Sequence, residues 1–130
     1  MKRIRNWADA IAHCDYTRGI EAGFDAFAIE LQIPQALDMW SEDGRLQKHW
    51  AHSWICTDCR VGLAVYTFDG VPVAVSSQEG RKSYENLQFI SRSGADMIRT
   101  YLNNLLKPRL MDAALVDLTE PLPDYWFEKE

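Results

Sequence analysis

Four residues in the middle of the chain have types and spacing suited to a metal ion: His49-x-x-His52-x-x-x-Cys56-x-x-Cys59. Zinc takes four imidazole or thiolate ligands in a tetrahedron, and a Cys-x-x-Cys turn can present two thiolates to one ion. The surroundings weigh against that use. Alternation along a strand sends His49 and His52 to opposite faces, only three residues separate the two pairs, and neither cysteine is followed by a glycine. The other geometry is a tight hairpin turning at Thr57-Asp58, with Cys56 and Cys59 facing each other across it as reduced thiols. Small buried thiols and surface histidines, with no cofactor, are therefore expected, and zinc on His49, His52, Cys56 and Cys59 is the alternative.

A second thiol lies in His13-Cys14-Asp15. Adjacent side chains project in different directions, so these three cannot form a line of nucleophile, base and orienting carboxylate among themselves. A cysteine at a helix C-terminus also meets the negative end of the dipole, which raises its pKa. Cys14 reads as a packing residue. The polar segment Glu79-Gly80-Arg81-Lys82-Ser83, preceded by Ser76, Ser77 and Gln78, pairs two cations with a glycine and suits an oxyanion. It lacks the glycine-rich lead and the following helix of a P-loop. Arg81 and Lys82 are candidates for contact with an acidic partner, and a small anion or nucleotide is a weaker alternative ligand.

The C-terminus carries Tyr125-Trp126-Phe127 after Pro121-Leu122-Pro123-Asp124, so three large rings follow two prolines that forbid regular structure. Such a tail either folds back to close the core or cover a sheet edge, or docks on a partner through its aromatic residues. Folding back is favoured, because an exposed aromatic triplet invites aggregation.

These candidates need a scaffold, and length and composition bound it. The 130 residues suit one domain, and 47% apolar with 25% charged residues is the balance of a globular chain. The net charge of −5 is local: residues 1–110 hold 13 basic and 13 acidic side chains, whereas residues 111–130 set Lys129 against six carboxylates. A balanced body argues against a nucleic-acid partner, and no apolar run is long enough for a membrane span. Three cysteines and no secretory leader point to the cytoplasm.

Along the chain, Asn6 caps a helix to about Cys14, and Ile20, Phe24, Phe27, Ala28 and Leu31 space a second one over 17–31. Pro34 opens a short third element that ends by Gly44. Trp50, His52, Trp54 and Cys56 then alternate as one aromatic strand face, although residues 45–52 can also start as a helical turn. Residues 61–68 and 71–75 form a hairpin about Asp69-Gly70, which suits a type I′ turn, with Pro72 near the start of the returning strand. Residues 76–83 read as a loop and 87–90 as a further strand. Ser93 caps the last helix, with Asp96 in its first turn and a stripe including Met97, Ile98, Tyr101 and Leu102, and Pro108 stops it.

The expected architecture is α+β: N-terminal helices over 1–44, a three- or four-stranded antiparallel meander over 45–92, a packed helix over 93–110 and an irregular acidic aromatic tail over 111–130. With no catalytic motif, the expected function is a non-enzymatic protein–protein interaction module, an adaptor, regulator or inhibitor of bacterial, phage or plasmid origin. Its partner is another protein, bound through Arg81, Lys82, Tyr125, Trp126 and Phe127.

Overall fold

A computed structural model describes residues 4–33, 44–55, 60–79, 87–103 and 106–124. The N-terminal helix α1 spans Trp7–His13, and the Asn6 side chain accepts the Asp9 N–H at its start. The single helix expected over 17–31 is divided. A 3-10 turn at Tyr16–Arg18 leads to the short strand β1, Ile20–Glu21, and only then to helix α2, Gly23–Glu30. Gly23 adopts φ +66°, a conformation that ends any helix arriving from upstream, so the apolar spacing of Ile20 with Phe24 does not belong to one helix.

Strands β2 (Leu46–Ile55), β3 (Arg60–Phe68), β4 (Val71–Glu79) and β5 (Leu87–Phe89) follow, and with β1 they form a five-stranded antiparallel sheet in chain order. The meander thus has one strand more than the expected maximum, the two-residue β1 being too short to leave an alternating pattern. Of residues 45–52, those from Leu46 onward are strand, with no helical turn. The turn between β3 and β4 is as the sequence predicts, with φ +53° at Asp69 and +82° at Gly70. Pro72 pairs with Thr67 beside a register shift, where a missing N–H does least harm. Residues 76–79, expected in a loop, continue β4: Ser76, Ser77, Gln78 and Glu79 pair with Ala64, Leu63, Gly62 and Val61. The length of β3 supplies ladder partners that override the polar character of that segment.

Helix α3 runs from Arg92 to Tyr101, one residue after its cap: Ser91, not Ser93, accepts the Gly94 N–H. Asp96 therefore lies beyond the first turn. The chain then passes through Asn103 at φ +55°, and helix α4 spans Lys107–Asp112. Pro108 opens this helix instead of stopping the previous one, since the first turn tolerates a residue without an N–H.

Both faces of the sheet are covered. On one, Leu46, Tyr66, Phe68, Ala74 and Phe89 pack against Phe24 and Phe27 of α2, Ile98 and Leu102 after the α3 start, and Leu110 of α4. On the other, Val61, Leu63, Val65 and Val75 meet Trp7 and Ala10 of α1. The segment after α4 folds back over residues 113–122, whereas the aromatic residues 125–127, for which folding back is expected, lie outside the described residues. Ala114 O accepts from Phe89 N at 3.0 Å and Val116 N donates to Phe89 O at 2.9 Å, so the outer edge of β5 is paired. Leu118 O then accepts from Ala8 N, Leu122 N donates to Arg5 O, and Val116, Leu118 and Leu122 pack on the second face. No helix among the described residues is long and apolar enough to cross a membrane.

Candidate functional site

The bulge in β2 rearranges the histidines. Register with β3 runs His49↔Val65 and Trp50↔Ala64, then skips Ala51 to His52↔Leu63. One extra residue reverses the alternation, so His49 and His52 share a face, whereas Trp50 and His52 do not. The expected opposition of the two histidines and the single aromatic face are both corrected by that bulge. His49 is not a surface residue: it is 2% exposed, with Nε2 2.8 Å from Thr67 Oγ1 and Nδ1 buried. Gly19 passes directly over its ring, and the Tyr16 ring meets it edge-on at 5.0 Å. Burial lowers the His49 pKa, opposed by the nearby Asp15 carboxylate. Among the described residues, no three His, Cys, Asp or Glu side chains are grouped to hold one metal ion. Cys56 and Cys59 lie outside the described residues, as do Arg81, Lys82, Tyr125, Trp126 and Phe127.

Cys14 follows α1, and its Sγ lies 3.6 Å from Trp50 O. Burial raises its pKa, which keeps the thiol protonated and weakly nucleophilic. Tyr16 donates to Ile11 O at 2.6 Å, and burial, then the nearby Cys14, push its pKa up to about 12. On the opposite face, Lys48 Nζ donates to Glu30 Oε1 at 2.5 Å and the Tyr66 hydroxyl donates to the other Glu30 oxygen. Burial, and then the Glu30 carboxylate, drive the Tyr66 pKa upward, so this phenol stays a hydrogen-bond donor. The group ties the end of α2 to β2 and β3 through satisfied polar contacts.

A concavity of about 640 Å³ lies elsewhere, between the β3–β4 turn and α3. Phe68, Met97 and Tyr101 line it with Arg45, Asp69 and Asp96. Arg45 Nε and Nη2 donate to the two Asp69 oxygens at 2.8 and 2.6 Å. Its guanidinium also lies 4.7 Å from the Phe68 ring centroid and 5.1 Å from that of Tyr101. Those two rings pack edge-to-face at 4.9 Å. Arg45 holds the Asp69 carboxyl below the usual carboxylate range, so the pair is ionised at neutral pH. The backbone reinforces it, since Asp69 N donates to Arg45 O at 2.9 Å. Met97 is 39% exposed in the cleft, and Val71, the cross-strand partner of Phe68, is 54% exposed.

Sequence reasoning missed this site. It placed Met97 and Tyr101 in the buried stripe of the last helix, whereas Ile98 and Leu102 carry that stripe and the other two border the cleft. The only sequence signal was the i, i+4 spacing of Met97 and Tyr101 on one flank of the helix. A smaller hollow of about 260 Å³ lies between the end of α2 and α4, beside Arg109 and Asp112.

Compared with protein-family models, curated proteins and solved structures, the chain matches none.

Proposed function

We propose that this protein is a non-enzymatic interaction module that engages another protein through the cleft between the β3–β4 turn and α3. The observation that carries the reading is the chemistry of the lining: Phe68, Tyr101, Met97 and Arg45 are of the types enriched at protein–protein interfaces, on a concavity open to solvent. Exposed Met97 and Val71 add apolar surface that a partner would remove from water. The ion pair and ring contacts of Arg45 pre-organise the walls, so little ordering entropy is lost on binding. Arg81, Lys82 and the Tyr125-Trp126-Phe127 tail are proposed as further contacts to the same partner.

A photo-crosslinking residue placed at Met97 tests the reading in cells, with the exposed Met111 of α4 as the control position. The expected result is one discrete protein adduct from position 97 and none from 111. Absence of an adduct at 97, or equal labelling from both positions, overturns the proposal. Zinc remains the second reading because the β2 bulge brings His49 and His52 to one face; about one zinc per chain in elemental analysis of the purified protein would support it.

A further inference from the structure

Charge narrows the partners that the cleft can take. Its apolar floor of Phe68, Met97 and Tyr101 accepts an anchor side chain, but apolar contact by itself selects no sign of charge. The walls do. On the turn side, the guanidinium of Arg45 is already matched by both oxygens of Asp69 and stacked on two aromatic rings. Drawing it to a partner's carboxylate would break a two-pronged pair. On the helix side, the Asp96 side chain is 57% exposed, and its contact with Arg99 is long, 3.8 Å. The lining therefore carries two carboxylates against one engaged guanidinium.

Resting on the docking reading above, we infer that the cleft takes a short segment of a partner protein in which an apolar anchor residue is flanked by lysine or arginine. The anchor lies against Met97 and Tyr101, beside the stacked Arg45 and above the buried Phe68. A neighbouring lysine or arginine runs its methylene stem along Met97 and sets its charge beside Asp96. An acidic flank would meet Asp96 as a like charge, and Arg45, the cation among the described lining residues, is already paired with Asp69, which makes the same anchor a poor ligand.

The test uses the full chain and three labelled synthetic peptides that share one leucine anchor and carry lysine, glutamine or glutamate flanks. Binding is read by fluorescence anisotropy. The lysine peptide is expected to bind about fivefold more tightly than the glutamine peptide, with the glutamate peptide weakest. Added salt should narrow the difference. Asp96→Lys should erase or reverse the order, and Met97→Asp should weaken all three; both positions are on the solvent side of α3, and circular dichroism verifies that each variant folds.

Equal or tighter binding of the glutamate peptide overturns the inference, as does lysine-peptide binding that neither substitution alters. A dimer in sedimentation that Met97→Asp dissociates also overturns it, by assigning the cleft to a second copy of the chain. If no peptide binds while the crosslinker at 97 still captures a protein, the charge inference fails and the docking reading stands. Loss of the crosslinked adduct overturns the docking reading itself.

Discussion

Gly19 lies so close to His49 that a Cβ built on it would be 2.2 Å from Cε1 and 2.7 Å from Nδ1. The imidazole is buried and bonded to Thr67, so it has little room to give. Gly19→Ala is expected to destabilise the fold by about 1–3 kcal/mol, lowering the urea midpoint without changing the slope. An unchanged midpoint would show that β1 can lift off the ring at no cost. The same imidazole makes stability depend on pH. Its folded pKa lies below the ordinary 6.5, because burial opposes the charged form more than the nearby Asp15 favours it. Between those two values the unfolded chain binds more protons than the folded one, so unfolding free energy rises with pH there. The stabilisation is complete above about pH 6.5 and is lost as pH falls from there through the folded pKa. Tyr16, Asp15 and Thr67 face this ring, and Tyr16 titrates far above the window. Urea titrations from pH 7.5 to 5 should show the loss, and His49→Gln should flatten it. At this scale the sequence was a partial guide: it marked His49 as a residue of interest but placed it on the surface, because burial depends on a glycine thirty positions away.

Helix boundaries separate what neighbouring residues decide from what packing decides. Two serines flank the first residue of the last long helix, and Ser91 rather than Ser93 accepts the Gly94 N–H at 3.1 Å. Ser91→Ala should therefore cost about 1 kcal/mol, whereas Ser93→Ala should stay within about 0.5 kcal/mol. Chemical denaturation of both variants checks this, and the reverse order would move the cap. The Asn6 cap and the Asp69-Gly70 turn were legible because each depends on residues adjacent in sequence. The division of 17–31 into a turn, β1 and α2 was not. Its apolar spacing fits one helix, yet Ile20 pairs with Lys48 and Gly23 takes φ +66°. Sheet hydrogen bonds to β2 outweigh local helical periodicity in that segment. The same competition extends β4 through Ser76–Glu79, where polar residues accept strand geometry because β3 offers a full ladder.

Across the whole molecule, one sheet has helices on one face and helix plus folded-back tail on the other, which exposes the weight carried by residues 113–124. These residues pair the edge of β5 and cover part of the second core with Val116, Leu118 and Leu122. Truncation after Asp112 is expected to expose both and to replace a cooperative melt with aggregation, read by calorimetry and size-exclusion chromatography. A truncated protein that melts as sharply and at the same temperature would show that the described tail contacts carry no stability. The α+β class and the antiparallel meander were determined by the sequence alone, through alternation in β3, the Asp-Gly turn, and helical spacing at both ends. Those signals survive in isolation because they reflect the period of a strand or a helix and the φ preferences of single residues. Only tertiary structure decided the bulge at Ala51, which puts His49 and His52 on one face, and the cleft that brings Arg45, Asp69 and Phe68 to Met97 and Tyr101. Such placements depend on which distant segment supplies a hydrogen bond or covers a side chain, and local period and spacing carry no record of that choice.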